Sequence, residues 1–438
     1  MTIKVAKFGG SSLASSQQFK KVYNIIQMDK DRKFVVPSAF GKRDSADKKI
    51  TDLLYLCHAH VENEIPFDDV FTIIKNRCLD IVKELELNIN MNPYLDEIKE
   101  TIASHTTKDY AASRGEYLSG IVLANLLGYE FIDAAEVIRF EKNGQLDYNT
   151  TIELLRKRLS KCENAVIPGF YGATASGRIV TFSRGGSDVT GALVANAVNA
   201  CVYENFTDVS GLLTTNPCIV ENPKPISKVT YRELRELAYM GATVIHEDAI
   251  KPVKEAGIPL NIRNTNDPSH PGTMIVGEID QSVAAGTITG IAGKKDFTVI
   301  AIDQSYMNSH VGYAQKILSI LADFDVSFEC MPSGIDNISL VIESSYLEGK
   351  LYDIVEQIKV KCNPDSVEVY PNMALIATVG RGMIYSQGVS SKLFSALYNA
   401  GVNIRMINQG SSEINIIVGV ENDDFEKAIK AIYNAFVD

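Results

Sequence analysis

An internal repeat constrains the fold of this chain more than any other feature of its sequence. Shifted by 76 residues, the segment 316–331 (KILSILADFDVSFECM) aligns with the segment 392–407 (KLFSALYNAGVNIRMI). The register continues without gaps into the apolar runs on both sides, and Gly312 falls on Gly388. Chance similarity between two amphipathic helices would not extend into flanking strands. We therefore infer two related repeats of about 70 residues each.

The order of elements predicts a fold class. Each repeat is patterned as strand, glycine-containing turn, helix, strand, turn, strand and helix, a ferredoxin-like βαββαβ plan. Earlier residues alternate short apolar runs with helical patterns, with strands predicted at 3–8, 34–37 and 165–170. Thr150 and Glu153 form the expected capping box of an intervening helix. We expect an α/β fold, an open and mostly parallel sheet between helices, followed by two ferredoxin-like units.

Length and composition limit the number of domains and the class of partner. The 438 residues exceed what one core usually organises, and the pattern changes near residue 287, so we expect domains at 1–286, 287–366 and 367–438. A net charge of −11 provides no basic surface for nucleic acid or an anionic membrane. Seven scattered cysteines without a C-x-x-C pair predict reduced thiols and no zinc site. No leader or long apolar run is seen, so we expect a cytoplasmic protein.

A first glycine loop, residues 7–12 (KFGGSS), follows the first predicted strand. Its glycines would let backbone amides approach an anion, and Lys7 would offset charge on a phosphate. The loop matches neither the Walker A pattern nor G-x-G-x-x-G. Glycines also occur in such turns for steric reasons alone, so the motif by itself leaves both interpretations open.

A second glycine loop, residues 183–188 (SRGGSD), precedes a helix predicted at 189–200. Arg184 offers a bidentate fork for a carboxylate, and Asp188 or Ser187 is expected to cap the helix. A capped turn with a surface arginine is the alternative. Two such loops in one α/β domain favour a reaction between two anions.

Two further segments carry candidate ligands. Glu116, in residues 113–116 (SRGE), could hold an ammonium group, or could lie on a helix surface without a function. Thr207 and Asp208 follow the strand predicted at 201–206, where α/β sheets bind ligands at strand carboxyl ends. A plain turn explains the second segment equally well.

Taken in order, these segments resemble the aspartokinase family of the amino-acid kinase fold. The resemblance rests on KFGGSS, VVPSAFG, ITDLL, SRGE, GFYG, SRGGSD and TDVSG, and covers essentially the whole chain. The repeats resemble the paired ACT domains of that family. The resemblance to this family implies transfer of phosphate from ATP, with Mg²⁺ on the nucleotide, to the side-chain carboxylate of L-aspartate. This reaction starts lysine, threonine and methionine biosynthesis.

The resemblance also implies roles for single residues. Lys7 would contact the transferred phosphate, and Asp188 would position Lys7 or the substrate. The implied backbone donors to phosphate are Gly9, Gly10 and Ser11. The implied aspartate pocket is Ser38, Thr51, Glu116, Phe170, Arg184 and Ser187. The implied nucleotide site adds Thr207, Asp208, Leu213, Cys218 and Thr243.

The nucleotide side departs from the family pattern. Leu213 replaces a tyrosine of many members, and Asn216, Pro217 and Cys218 stand where D-P-R is common. Thr243 stands where a second phosphate-facing lysine is common. The candidate substitutes for that lysine are Lys42, Lys48, Lys49 and Arg263, although a solvated basic loop also explains the first three.

A feedback site is predicted in the first repeat, at the helix entry 307–314 and a neighbouring strand 327–329. The helix entry suits an α-carboxylate, and Glu329 suits an ammonium group. The resemblance implies an interface between subunits there, hence at least a homodimer, and lysine is favoured over threonine. The residues are Met307, Gly312, Tyr313, Ala314, Ser327, Phe328 and Glu329. Gly388 in the second repeat can be structural only.

Two alternatives to an aspartate kinase remain at the level of sequence. One is an amino-acid sensor that has kept the fold and lost catalysis, which the departures at Leu213 and Thr243 favour. The phosphate-facing Lys7 argues against it, because a sensor does not need that residue. The other is a different amino-acid kinase, such as glutamate 5-kinase.

Overall fold

The computed structural model describes residues 2–183, 185–242, 247–279 and 287–437, with only the backbone described at 247–249. Two compact units make up the chain. Unit 1 comprises Met1–Leu212, Pro225–Tyr231 and Val244–Ile279, and unit 2 comprises Leu213–Lys224, Arg232–Thr243 and Asp280–Asp438. The three domain boundaries expected from the sequence stay a prediction.

The first thirteen strands precede the repeats. They are β1 (Lys4–Phe8), β2 (Arg32–Pro37), β3 (Glu130–Phe131), β4 (Arg139–Phe140), β5 (Ala165–Val166), β6 (Tyr171–Thr174), β7 (Ile179–Thr181), β8 (Val202–Thr207), β9 (Leu212–Leu213), β10 (Pro225–Ile226), β11 (Lys228–Thr230), β12 (Leu260–Asn264) and β13 (Thr273–Val276). Eight of them form one sheet in the order β11-β13-β12-β8-β1-β2-β5-β3. Its pairs are parallel except β12 with β13, so the expected mostly parallel sheet is confirmed.

Helices follow the strands and cover the sheet with apolar faces. They are α1 (Ser16–Gln27), α2 (Ile50–Glu62), α3 (Asp68–Glu84), α4 (Asn92–Ala103), α5 (Lys108–Leu127), α6 (Ala134–Val137), α7 (Tyr148–Leu159), α8 (Gly186–Ala197), α9 (Tyr231–Tyr239) and α10 (Glu247–Glu255). In α1, Phe19, Val22 and Ile25 are buried on the face that the sequence predicts. They join the core that includes α2 and α5.

Two predicted helix starts are wrong. Asp147, not Thr150, caps α7, because its side chain accepts a hydrogen bond from the Thr150 amide. Helix α8 begins earlier than predicted, after Gly185 at a φ of +56°, and neither Ser187 nor Asp188 caps it. A glycine can enter a helix from the left-handed region without a side-chain cap, which leaves the Asp188 carboxylate available for other contacts.

The parallel register brings the predicted motifs to one edge of the sheet. Phe8 pairs with Pro37 on one side and with Phe206 on the other, so β1, β2 and β8 end together. The Phe8 and Phe206 rings stack with centroids 4.8 Å apart. Because parallel strands end on the same side, the first glycine loop lies between the segments that follow β2 and β8.

Unit 2 contains an antiparallel sheet in the order β15-β14-β16-β18-β17. Its strands are β14 (Gly290–Asp303), β15 (Asn337–Glu343), β16 (Ser366–Val379), β17 (Met406–Asn408) and β18 (Asn415–Glu421). Its helices are α11 (Tyr313–Asp323), α12 (Leu351–Cys362), α13 (Val389–Asn399) and α14 (Phe425–Phe436). The ferredoxin-like class expected from the repeat is confirmed.

Strand β14 serves the cores of both repeats. Ile300 and Ile302 pack with α11, β15 and α12, whereas Ile291 packs with β16, α13, β18 and α14. The register along β14 shifts between Lys294 and Val299, where one half gives way to the other. The second repeat is therefore completed by the first half of a strand whose second half belongs to the first repeat.

Candidate active site and regulatory turns

Lys7 and Asp188 meet at the carboxyl end of β1. The Lys7 Nζ lies 2.6 Å from Asp188 Oδ1, and both side chains are largely buried. Lys7 also donates to Asn205 Oδ1 at 3.3 Å, and Asn205 Nδ2 donates to Asp188 Oδ1 at 2.9 Å. The structure thus joins the two residues expected to be catalytic, from sequence positions 181 apart. Asn205 was not predicted; its only signal was an amide within the strand predicted at 201–206.

The first glycine loop is locked against the segment after β2. Gly10 accepts a hydrogen bond from the Gly41 amide at 2.9 Å, and a Cβ at Gly41 would collide with the Gly10 carbonyl. Ser11 is exposed in the short 3-10 turn Gly10–Leu13. The Gly9 amide donates to the Phe206 carbonyl at 3.0 Å, so it is already engaged in tying the loop to β8.

The segment after β2 carries Ser38, which is half-buried beside the loop. Its amide donates to the Phe8 carbonyl at 3.0 Å, and its carbonyl accepts from Ser119 Oγ at 2.6 Å. Gly115 permits this approach of α5, because a Cβ there would stand 2.9 Å from Ala39 Cβ and 3.3 Å from Thr51 Cγ2. Helix α5 therefore touches both the segment that carries Ser38 and the first turn of α2, which carries Thr51.

Glu116 is buried on α5, which decides against a surface position. Burial raises the pKa of its carboxyl to about 8, although the Ala39 amide donates a hydrogen bond to it. Its Oε2 atom has no hydrogen-bond partner among the residues that the structure describes. An unpaired buried carboxyl is costly unless a cation or donor reaches it, so this atom points to a ligand.

The loop that carries Phe170 packs closely against the first residues of α8, which include Ser187. A Cβ at Gly169 would stand 2.6 Å from Ser187 Cβ, and one at Gly186 would stand 2.8 Å from the Phe170 ring. Phe170 has a φ of +77°, a conformation that side chains rarely adopt. The strand predicted at 165–170 is shorter than expected, because β5 covers only Ala165–Val166. Arg184, the predicted carboxylate fork, lies outside the described residues.

The predicted nucleotide residues fall into different units. Thr207, half-buried, donates to the exposed Asp208 at the end of β8 in unit 1. Leu213 and Cys218 belong to unit 2 and are both exposed. Thr243 lies outside the described residues. Thr207 and Asp208 therefore lie at the carboxyl edge of the sheet in unit 1.

The four candidate substitutes for the missing lysine differ in their surroundings. Arg263 donates to Glu204 at 3.0 Å and to the Pro268 carbonyl at 2.7 Å. Lys42, Lys48 and Lys49 are exposed in the segment that precedes α2. The Arg263 guanidinium is thus already hydrogen-bonded within unit 1, whereas the three lysine side chains are exposed to solvent.

Arg77, which sequence analysis missed, holds that segment. Its guanidinium donates to the Gly41 carbonyl, donates to the Lys48 carbonyl at 3.0 Å and pairs with Asp47 at 2.9 Å. The side chain is buried on α3. Its only sequence signal was a cation on an otherwise apolar helical face.

The predicted feedback turn begins α11 in unit 2. Gly312 has a φ of +82° and directly precedes the helix, with Met307 and Tyr313 buried on either side. Ala314 is partly buried in the first turn of α11. This is the glycine-started helix that the repeat predicts.

Residues 327–329 do not form the expected strand. The Glu329 amide donates to the Val341 carbonyl at 2.7 Å, and pairing with β15 consists of isolated bridges at Cys330 and Ser333. Ser327 and Phe328 are exposed and line a cavity of about 330 Å³ beside α11. The Glu329 carboxylate accepts a hydrogen bond from Tyr239, whose pKa rises through burial and this contact.

The corresponding turn of the second repeat opens on a larger cavity. Gly388 has a φ of +81° before α13. The cavity of about 460 Å³ at this turn is lined by Ser386, Ser390, Gln409 and Glu413 among others. This cavity reaches the Gly388 turn, whereas the cavity of the first repeat lies beside the later part of α11, from Leu318 onwards.

Two comparisons of sequence identify the family. A model described as the Amino acid kinase family matches residues 2–264, and an ACT domain model matches residues 376–436. Aspartokinase 3 of Bacillus subtilis is 35% identical, with 99% of this chain and 98% of the relative covered. This chain belongs to the aspartokinase family.

Solved structures of aspartokinases share its fold. The aspartate kinase of Clostridium acetobutylicum is 59% identical, with a TM-score of 0.92 and all of both chains covered. E. coli aspartokinase III is 25% identical in two structures. The structure in complex with aspartate and ADP has a TM-score of 0.74, with 99% of both chains covered. The structure in complex with lysine and aspartate has a TM-score of 0.75, with 100% of both chains covered.

The described part of this aspartokinase-family chain has neither a candidate metal cluster nor a candidate membrane span. No group of three or more His, Cys, Asp or Glu side chains in that part could hold a metal ion. No helix there is long and apolar enough to cross a membrane.

Proposed function

We propose that this chain is an ATP-dependent aspartate kinase, which transfers the γ-phosphate of ATP to the side-chain carboxylate of L-aspartate. The reaction would be the first step of lysine, threonine and methionine biosynthesis. Membership of the aspartokinase family supports this activity. The observation that carries it is the 2.6 Å ion pair between Lys7 and Asp188 at the end of β1, beside the first glycine loop.

The chemistry needs positioning and charge compensation. The β-carboxyl of free aspartate has a reference pKa of about 3.9, so the nucleophile is already ionised at neutral pH and needs no general base. A carboxylate oxygen forms the new bond to the γ-phosphorus while the bond to ADP breaks. Lys7 offsets the negative charge that makes these groups repel, and Asp188 holds its ammonium in place. Because both side chains are largely buried, solvent screens their charges little and their electrostatic interactions are stronger than at the surface.

The aspartate pocket combines one fixed anion with one fixed cation. The unpartnered Glu116 Oε2 would accept the α-ammonium group, and Arg184 would bind a carboxylate through its fork. Phe170, Ser187, Ser38 and Thr51 would complete the pocket. Glutamate, one methylene longer, would place its carboxylate differently against the same two charges.

The nucleotide would be held by Thr207 and Asp208, with Leu213, Cys218 and Thr243 on the adenine and phosphate side. Mg²⁺ would arrive with ATP, since this ion is usually bound by substrate phosphates and few protein carboxylates. The described acidic residues fit that mode, because Asp188 and Asp208 are single carboxylates without a cluster. When bound, Mg²⁺ neutralises phosphate charge. ATP and a free amino acid as substrates make the cytoplasm the proposed compartment.

Feedback by an amino acid would act through unit 2. An aspartokinase III structure from E. coli contains lysine and aspartate, and lysine is our proposed effector. Its α-carboxylate would meet the helix start at Gly312, and its ammonium would meet Glu329. We also propose a homodimer or a higher oligomer formed through the ACT repeats.

Substrate selectivity tests the proposed function. ADP formation should be measured with aspartate, glutamate and acetylglutamate at equal concentrations. We expect aspartate to exceed the others in kcat/KM by at least about 100-fold, since a misplaced carboxylate loses its in-line geometry. Preference for glutamate or acetylglutamate would indicate another amino-acid kinase. Binding of an amino acid without turnover of any substrate would indicate a sensor.

A further inference from the structure

Asn205 completes a closed ring of contacts with Lys7 and Asp188. Lys7 and Asn205 are register partners on β1 and β8, so their side chains leave the sheet on the same face. Asn205 is buried, accepts from the Lys7 ammonium at 3.3 Å and donates to the Asp188 carboxylate at 2.9 Å. With the 2.6 Å ion pair, each member touches both others.

The same strand holds Asp188 at a second point. Tyr203 lies two residues before Asn205, hence on the same face of β8, and its hydroxyl donates to the Asp188 carbonyl at 3.0 Å. Gly191 leaves room for that ring, because a Cβ there would collide with the Tyr203 hydroxyl. Strand β8 therefore fixes Asp188 by its backbone through Tyr203 and by its carboxylate through Asn205.

An asparagine is the side chain that this position requires. The amide offers an acceptor to the ammonium and donors to the carboxylate, and it adds no charge. An aspartate would place a second carboxylate beside Asp188, and a leucine would leave both ions without this partner. A buried ion pair keeps one geometry only when its remaining hydrogen-bonding capacity is satisfied.

We propose that Asn205 is a positioning residue for phosphoryl transfer, which holds the Lys7 ammonium and the Asp188 carboxylate in the arrangement that the reaction uses. The inference rests on the proposed role of Lys7 in transfer. Asn205 contacts neither substrate in this account, so its loss should lower kcat and leave the KM for aspartate nearly unchanged. Misplacing a catalytic group by about 1 Å is enough to cost about 100-fold in rate.

The test compares Asn205→Leu and Asn205→Asp with a matched control. Asn261→Leu also removes a buried amide, from β12. Asn261 is the register partner of Glu204 on β8. Because Glu204 and Asn205 are neighbours on that strand, Asn261 lies on the opposite face of the sheet from Asn205. For Asn205→Leu we expect kcat to fall by about 10- to 100-fold with the KM for aspartate within about threefold. For Asn261→Leu we expect wild-type kcat.

The pH profile of Asn205→Asp separates positioning from mere structure. Among described residues, the introduced carboxyl would face Lys7 and Asp188. When protonated, it offers a donor and an acceptor as the amide does, so activity relative to wild type should recover as pH falls from 8 towards 5.5. The Leu variant has no titrating group and should show no recovery.

The outcomes distinguish this inference from the function on which it rests. A wild-type kcat in Asn205→Leu, with Lys7→Ala inactive, would overturn the role of Asn205 alone. A wild-type kcat in Lys7→Ala would overturn the proposed function and this inference with it. If Asn205→Leu fails to fold, the profile of Asn205→Asp decides: recovery at low pH supports positioning, and a flat ratio to wild type contradicts it.

Discussion

At the scale of single residues, Glu116 is the proposed partner of the substrate ammonium group. It is buried on α5, and one carboxylate oxygen has no partner among the described residues. Burial raises its pKa to about 8, so near neutral pH the free site holds it mostly protonated. An arriving ammonium group favours the ionised form. Binding of aspartate would then release a proton from this carboxyl.

Glu116 predicts a pH dependence of stability. Its pKa is raised from 4.5 in the unfolded chain to about 8 in the folded one, so between these values the folded protein binds the extra proton. Stability contributed by this group is therefore lost as pH rises, by up to about 1.4 kcal/mol per pH unit. Urea unfolding at pH 5.5, 7 and 8.5 should show this loss in wild type and a shallower one in Glu116→Gln. Equal slopes in the two proteins would contradict a buried, protonated Glu116.

At the scale of elements, the contact between the first glycine loop and the segment after β2 sets the shape of the phosphate site. Gly10 and Gly41 meet backbone to backbone, and Arg77 binds the Gly41 carbonyl from α3. No side chain fits between these segments. The two loops are thus one rigid element in the folded protein.

A substitution at Gly41 tests this contact. Its added Cβ would meet the Gly10 carbonyl, so Gly41→Ala should lower the free energy of unfolding by about 1–3 kcal/mol and raise the KM for ATP. Gly277→Ala is the matched control, since its Cβ would meet nothing within 4 Å. Unfolding midpoints and KM values for both variants check this. If the two variants behave alike, the loops are not locked together by Gly41.

What could be predicted from sequence depended on the range of the interaction. The glycine loops and the Lys7 strand were visible because a turn and its strand are neighbours in the chain. Asn205 was not, because its meaning comes from a register partner 198 positions away. Asp147 was missed as a cap because Thr150 offered the more familiar pattern, while the structure uses the residue three positions earlier.

The largest unforeseen feature of an element is β14. The repeat predicted two similar units, and the structure has their two cores. Periodicity could not show that Ile291 and Ile300, on one strand, belong to different cores, because both are simply apolar residues in a β pattern. The sequence pattern likewise could not show that Glu116 is buried, because α5 is buried on nearly every side and has no single apolar face.

At the scale of the whole molecule, the two repeats raise the question of which one senses an amino acid. Their helix entries are matched: Gly312 and Gly388 have φ values of +82° and +81°, and both precede an α-helix. The cavities differ in size, at about 330 and 460 Å³, and in lining. Glu413 lines the second cavity, whereas in the first repeat Glu329 directly follows the lining residues Ser327 and Phe328.

A matched pair of variants answers this question. Gly312→Ala and Gly388→Ala introduce the same backbone strain, about 1–2 kcal/mol each, with no close contact at either Cβ. We expect Gly312→Ala to raise the lysine concentration for half-inhibition by at least about 10-fold, and Gly388→Ala to leave it unchanged. Inhibition curves with lysine and with threonine check this. A shift in Gly388→Ala alone would place the effector in the second repeat.

The central claim is that Lys7 drives phosphoryl transfer to aspartate, and the kcat of Lys7→Ala tests it most directly. Lys4→Ala is the control, because Lys4 lies at the other end of the same strand. Its ammonium pairs with the Asp29 carboxylate at 2.7 Å. We predict that Lys7→Ala loses kcat by at least about 1000-fold, with a cooperative unfolding transition retained. Lys4→Ala should keep wild-type kcat. A Lys7→Ala protein that phosphorylates aspartate at a rate near wild type would contradict the account.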